Sequence, residues 1–412
     1  MLFKYFYYGC DILKKNIIFF ISLLIALTVV FPGKVSADEI TEEGIPFEVI
    51  SSSATSASKN EIKRIDAGSA IAMEFDSGRV LYEKNAKVKR YIASTTKIIT
   101  AIVAIERGNL DDTVTVSKRA AEIWGSNINL KEGEKIKLSD LLYGLMMKSG
   151  NDAAIAIAEH IGGSIENFAQ MMNDKAKEIG AYDSSFKTPH GLDVEGHYST
   201  AYDLALITRY AMNNPTFAKI VSTKHITIGN RVFENTNEML GLYPGADGVK
   251  TGYTGLAGRC LVTTAKRNDM RVISVVLYCQ SRAKRAESSR ILLDYSFNNF
   301  KKYTLVNKED NYGTIRILRG KSTNVNVKPI EDKIMPLSNE EITGLQKEVQ
   351  LPESLPAPVY AGIEVGKVIY RLNGDVIVEV PLKTVDTVHR KDMKDYLKEI
   401  FTAWGRLMRR VN

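Results

Sequence analysis

What this chain has little of excludes a good deal. Its 412 residues include three cysteines, five histidines and two tryptophans. His160, His190, His197, His225 and His389 are scattered, no two lie within four residues of each other, and no Cys/His group has metal-ligand spacing. Asp193 falls between His190 and His197, but in a glycine-containing loop and not on one helical face. No metal and no cofactor is expected. Cysteine is too sparse for a disulfide scaffold. Cys10 belongs to the N-terminal leader, while Cys260 and Cys279 sit in apolar runs, as facing neighbours able to bridge or as two buried thiols. A strong excess of one charge is also lacking. The formal net charge is +7, and residues 1–37 carry +3 of it through Lys4, Lys14, Lys15 and Lys34 against Asp11. The remaining +4 is spread without a basic stripe, which argues against a nucleic-acid partner.

Long apolar runs are absent apart from one, residues 17–31, preceded by Lys4, Lys14 and Lys15 and followed by Val35-Ser36-Ala37. That pattern predicts a secretory signal peptide over 1–37, cut after Ala37. The run is shorter than the ~20 residues a membrane span needs, which argues against an uncleaved anchor. A polar linker is expected over 38–58, rich in serine, threonine and alanine. The other end is amphipathic. Over 389–412, Met393, Tyr396, Leu397, Ile400, Phe401, Trp404, Leu407 and Met408 recur in steps of three and four. The opposite face is basic and too charged to cross a bilayer, so a helix lying in the membrane interface is expected.

Between the ends the pattern changes character twice. Apolar runs flanking Asp76-Ser77-Gly78 predict a hairpin. Helices are expected from Ser94 to about 106, over 140–147 with Ser139 as cap, from Asn151 to 161, from Ser164 to about 180, and from Thr200 to 213. Strands are expected over 227–233, 258–265 and 270–279, then a helix from Arg282 to about 297. Helix signals stop after about Tyr303, and strands with an Asn373-Gly374 turn follow. The predicted class is α/β (α+β): an antiparallel sheet flanked by helices plus a helical lobe over 59–302, a small all-β domain over 303–388, and the terminal amphipathic helix over 389–412.

Three short motifs carry the chemistry. Ser94-Thr95-Thr96-Lys97, Ser149-Gly150-Asn151 and Lys250-Thr251-Gly252 spell S-x-x-K, S-x-N and K-T-G in order, separated by roughly 50 and 100 residues. S-x-x-K alone also occurs at Ser56, Ser184 and Ser281, and a lone serine at a helix start is more often a plain cap. The ordered set is the signal. On a helix Ser94 and Lys97 share a face, so the amine can take the hydroxyl proton, provided that burial and the charge of Lys250 keep it partly neutral. Helix N–H groups can face a developing oxyanion. Ser149 can relay a proton to the leaving amine, Asn151 can hold Lys97, and Gly150 permits the turn. Lys250 and Thr251 offer a cation and a hydroxyl to a carboxylate, and Gly252 lets a substrate backbone approach.

With those motifs, the sequence resembles the serine D-alanyl-D-alanine carboxypeptidases, the low-molecular-mass penicillin-binding proteins, over nearly its whole length. The resemblance implies a transpeptidase/β-lactamase-like catalytic domain, with Ser94 as nucleophile, Lys97 as base and Ser149 and Asn151 as the second element. It implies substrate contacts from Lys250, Thr251 and Gly252, and an oxyanion hole from the N–H groups of Ser94 and Tyr253. Arg285 best matches the family's carboxylate-binding arginine, with Arg282 beside it. Tyr253 stands where some relatives have histidine, which puts side-chain-dependent rate or specificity in doubt. The implied partners are peptidoglycan pentapeptide stems, β-lactam antibiotics as covalent inhibitors, and the membrane surface through the terminal helix. The implied location is the extracytoplasmic face of the cytoplasmic membrane. The alternatives are a β-lactamase, which needs a deacylating glutamate for which Glu166 is poorly placed, and a catalytically silent binder of penicillin or peptidoglycan. His190-Gly191-Leu192-Asp193 and His197-Tyr198-Ser199-Thr200 are read as structural.

Overall fold

The computed structural model describes residues 62 and 64–411. The expected signal peptide (1–37) and linker (38–58) lie outside the described residues. Strands β1 (Ser69–Glu74) and β2 (Val80–Lys84) form the expected hairpin. The Glu74 carboxylate accepts from the Ser77 N–H at 2.7 Å and the Ser77 hydroxyl at 2.5 Å, and Gly78 takes φ +73°. Strands β3 (Ala246–Thr254), β4 (Gly258–Arg267) and β5 (Met270–Cys279) join them in one antiparallel sheet ordered β2-β1-β5-β4-β3, so β3 is an edge.

Side chains alternate across this sheet, and both faces are covered. Ile71, Met73, Val262, Ile273 and Val275 face the helical lobe. Ala70, Ala72, Leu261, Val272 and Val276 pack with Ile291, Leu292 and Leu293 of the C-terminal flanking helix, Arg282–Asn299. A bulge near the end of β5, where Tyr278 takes φ +59°, breaks this alternation and turns Cys279 away from the face of Cys260. Cys260 belongs to the first cluster and Cys279 to the second, and both are free and buried. Burial pushes their thiols up, to about 11 and about 12.

The lobe is built from α1 (Lys97–Arg107), α2 (Leu138–Met147), α3 (Asn151–Gly162), α4 (Ile165–Ile179) and α5 (Ala201–Met212). Ser164 and Thr200 cap α4 and α5 by accepting from the N–H groups of Asn167 and Asp203. Gly163 and Gly180 close α3 and α4 at φ +70° and +90°. Ile98, Ile99, Ile102 and Val103 of α1 are all within 1 % of full burial. Each contributes roughly 1.5–3 kcal/mol by leaving water, so α1 is a fixed post for the residues at its start.

Two local expectations change. Ser139 does not cap α2: strand Lys135–Lys137 pairs with Thr113–Thr115 and hands the chain straight to Leu138, whose N–H donates to Asp112 O. The run 227–233 is not one strand but a hairpin, His225–Ile228 with Arg231–Glu234, folded at Gly229.

The all-β domain holds a six-stranded sheet and the two-stranded ladder Phe300–Val306 with Lys333–Ser338, around Val306, Val327, Val380 and Leu382. Asn373 and Gly374, at φ +53° and +92°, make the expected tight turn. One short helix, Asn339–Thr343, interrupts the strands through a capping box between Ser338 and Glu341. Glu341 also receives the Arg79 guanidinium through two hydrogen bonds, and Lys302 pairs with Asp76, tying this domain to the β1–β2 hairpin. The terminal helix α6 (Met393–Val411) leaves Met393, Ile400, Phe401, Trp404, Leu407 and Met408 each more than half exposed.

Candidate functional site

Ser94 sits in a 3-10 turn, Ala93–Thr96, that leads directly into α1. Ala93 takes φ +47°, a left-handed conformation that costs an alanine on the order of 1 kcal/mol. The hydroxyls of Thr95 and Thr96 fold back onto Ile92 O and Ala93 O at 2.6 and 2.8 Å and hold the turn. Two glycines press on it. A Cβ on Gly191, which has φ +89°, would lie 2.0 Å from Ala93 O. A Cβ on Gly252 would lie 3.0 Å from the Ser94 N–H nitrogen and 3.1 Å from that of Thr95. The third motif therefore contains glycine because strand β3 lies directly against the backbone beside Ser94.

Lys97 is completely buried, and its Nζ meets Ser94 Oγ at 2.9 Å, Asn151 Oδ1 at 2.7 Å and the His190 carbonyl at 2.8 Å. The first two were legible in the sequence. The third is a main-chain group and leaves no residue-type signal. The His190 ring accepts from the Leu192 N–H at 3.1 Å. Burial, then the charge of Lys97, pushes it down to about 3. His197 bonds Thr96 Oγ1 at 2.9 Å and accepts from the Lys187 N–H at 3.0 Å, and burial pushes it down to about 4. Both rings are neutral supports under the site.

The second motif closes the other side. It is Ser149, at φ +63°, that makes the left-handed turn; Gly150 has φ −54°. Gly150 is required by space instead, since its Cβ would meet Asp152 Oδ1 at 2.8 Å and Ala153 Cβ at 3.2 Å. Asn151, the first residue of α3, is clamped along its length. Its N–H donates to Ser126 O at 2.7 Å and its Nδ2 to Trp124 O at 2.9 Å, which fixes the amide so that Oδ1 faces Lys97. Segment 124–130 is held in turn by Asp152, whose carboxylate accepts from the N–H groups of Ile128 and Leu130. This clamping loop was not read from the sequence, because carbonyl acceptors carry no signature.

On β3, Lys250 is completely buried and Thr251 nearly so. The Thr251 hydroxyl meets that of Thr236 at 3.0 Å, and the Thr236 N–H donates to Met147 O at the end of α2. Tyr253 lies opposite Arg259, whose guanidinium sits 3.9 Å from the ring centroid. Arg285 is completely buried, with Nε and Nη2 each 3.0 Å from a carboxylate oxygen of Glu238. Any substrate carboxylate reaching Arg285 would share it with Glu238, a partner not foreseen from the sequence. Two further S-x-x-K serines resolve into structural duties: Ser184 bonds Asp203 Oδ2 at 2.7 Å, and Ser281 caps the Arg282–Asn299 helix. Glu166 is exposed in the first turn of α4. Among the described residues no group of three or more His, Cys, Asp or Glu could hold a metal.

Known proteins match this arrangement. The family model for D-alanyl-D-alanine carboxypeptidases of peptidase family S11 matches residues 53–281, and that for the penicillin-binding protein 5 C-terminal domain matches 300–390. The chain is 34 % identical to D-alanyl-D-alanine carboxypeptidase DacF of Bacillus subtilis, over 82 % of this chain and 90 % of the relative. It is 35 % identical to DacC of Escherichia coli, over 80 % and 86 %. Penicillin-binding protein 5 from Haemophilus influenzae superposes with a TM-score of 0.70 at 30 % identity, over 80 % of this chain and 99 % of that one.

Proposed function

This chain belongs to the D-alanyl-D-alanine carboxypeptidase family, and from that membership we propose that it removes the terminal D-Ala from peptidoglycan pentapeptide stems through an acyl-enzyme on Ser94. The observation that carries this reading is the buried Lys97 amine 2.9 Å from Ser94 Oγ. Two of its neighbours, Asn151 Oδ1 and His190 O, are acceptors only. A neutral amine gives its two N–H groups to them and turns its lone pair to the Ser94 hydroxyl. Lys97 then takes the proton as Oγ attacks the penultimate D-Ala carbonyl carbon. The oxyanion is held by the N–H groups of Ser94 and Tyr253. The C–N bond breaks, and D-Ala leaves with a proton relayed through Ser149. Water repeats the sequence and frees Ser94.

Lys250 and Thr251 receive the substrate's terminal carboxylate, with Arg285 and its Glu238 partner behind them. Edge strand β3 offers its backbone to the stem as an added strand. Removing the fifth residue deprives a stem of its donor bond and so limits cross-linking. Helix α6 lays its exposed apolar face on the membrane with the enzyme on the extracytoplasmic side; among the described residues no helix is long and apolar enough to cross.

A penicillin acylates the same serine. Because Glu166 is exposed in a helix turn, the penicilloyl ester persists, which separates this reading from a β-lactamase. Intact-mass measurement after benzylpenicillin, followed by digestion, is expected to place a stable adduct on the peptide bearing Ser94. Rapid turnover of the drug supports the β-lactamase instead, and no adduct at all supports a silent binder.

A further inference from the structure

The loop that clamps Asn151 carries a large aromatic side chain that no step above uses. Trp124 is 56 % exposed, although its own carbonyl is fixed 2.9 Å from Asn151 Nδ2. Tryptophan is well buried on average, and an exposed indole offers a partner a large rigid face with one polar N–H. Three hydrogen bonds in series link this backbone to Ser94, through Asn151 and Lys97. The segment is rigid on both sides, by the bond from the Asn151 N–H to Ser126 O and by the Asp152 carboxylate on Ile128 and Leu130. The short helix Lys118–Ala121 just before it packs on α3 and brings an exposed cation, Arg119, whose charge is felt at His190.

We propose that Trp124 is a specificity-determining residue of this enzyme, packing against the aliphatic part of the stem peptide upstream of the scissile D-Ala-D-Ala bond, with Arg119 facing the stem's carboxylates. The proposal rests on the carboxypeptidase reading for its substrate. With its carbonyl on the Asn151 clamp and its ring exposed, Trp124 would stand at the rim of the Ser94 site. A rigid aromatic with few rotors gives contact area at little entropic cost, and the adjacent guanidinium matches an anionic peptide. A dipeptide or a side-chain-free β-lactam fills the Ser94 site without reaching this rim.

The chain has two tryptophans, the other being Trp404 on α6. In full-length protein carrying Ser94→Ala and Trp404→Phe, Trp124 is therefore the sole indole. Its emission is expected to shift to the blue on adding a synthetic pentapeptide stem, and to stay unchanged with D-Ala-D-Ala alone. In the Ser94 enzyme, Trp124→Ala is expected to raise KM for the pentapeptide by roughly fivefold to tenfold with kcat little changed, and Trp124→Phe to recover most of the loss. Acylation by 6-aminopenicillanic acid is the reference. An equal loss on it and on the pentapeptide, or loss in kcat alone, would show that Trp124 merely supports Asn151, and overturns the proposal. So does an indole silent to the pentapeptide. Failure of wild type to release D-Ala speaks against the carboxypeptidase reading instead, because the emission shift reports binding independently of turnover.

Discussion

Two carbonyl oxygens, from Asn151 and His190, lie within hydrogen-bond reach of the Lys97 amine, together with Ser94 Oγ. A neutral Lys97 amine, the state the proposed mechanism needs, would point its lone pair at Ser94. The histidines beneath the site have a measurable consequence. His190 and His197 are pushed down to about 3 and about 4, by burial first in each case. In the unfolded chain both take up protons near pH 6.5, whereas in the folded protein they stay neutral to far lower pH. Their contribution is therefore fully present above pH 6.5 and is lost as pH falls toward 4, at about 1.4 kcal/mol per pH unit for each group. Thermal unfolding from pH 7 to pH 4 is expected to show a steady fall in Tm that is smaller in His197→Asn; a Tm flat down to pH 5 contradicts this. At this scale the sequence was legible in the contacts among Ser94, Lys97 and Asn151, but not in the carboxylates of Glu238 and Asp152. It was silent wherever a main-chain carbonyl acts, as at His190, Trp124 and Ser126.

Strand β3 meets the Ala93–Thr96 turn at Gly252, where a Cβ would lie only 3.0 to 3.1 Å from three backbone atoms. Gly252→Ala is therefore expected to shift the strand by a few tenths of an ångström from the Ser94 N–H, the group proposed to hold the oxyanion. Loss of one such donor costs roughly a hundredfold to a thousandfold. Acylation by benzylpenicillin is expected to slow by at least tenfold with far-ultraviolet circular dichroism unchanged; an acylation rate equal to wild type would show that the close approach is incidental. Elements followed their sequence signals when local periodicity and burial agreed, as in β5 and α5. They departed where tertiary pairing intervened. Ser139 has the chemistry of a cap, but the ladder of Lys135–Lys137 with Thr113–Thr115 delivers the chain to Leu138 already hydrogen-bonded. The left-handed residue of the second motif is Ser149 and not Gly150, because neighbouring atoms, and not φ, forbid a side chain at Gly150.

At the scale of the whole molecule, the ties from Arg79 to Glu341 and from Lys302 to Asp76 join the catalytic domain to the β domain. At the far end of that β domain, Lys321 pairs with Asp392 and Asp395, and Lys321 and Lys391 donate their N–H groups to His389 O and Arg319 O. The start of α6 is thereby fixed on the β domain while Phe401 and Trp404 stay exposed. Phe401→Glu with Trp404→Glu, in the full chain, is expected to abolish co-sedimentation with anionic phosphatidylglycerol vesicles and to leave hydrolysis of a soluble peptide unaltered; vesicle binding that survives both changes argues against the anchor. The division into catalytic domain, β domain and amphipathic end was legible because the pattern changes at each junction, whereas the ion pairs tying the domains together link residues 262 and 226 positions apart and left no local trace. The central claim, a carboxypeptidase working through Ser94, is tested most directly by mass spectrometry of a peptide ending in D-Ala-D-Ala after incubation with the wild-type chain and with Ser94→Ala. The account predicts loss of one alanine with wild type only. Equal release by both proteins, or an unchanged peptide with wild type, would contradict it.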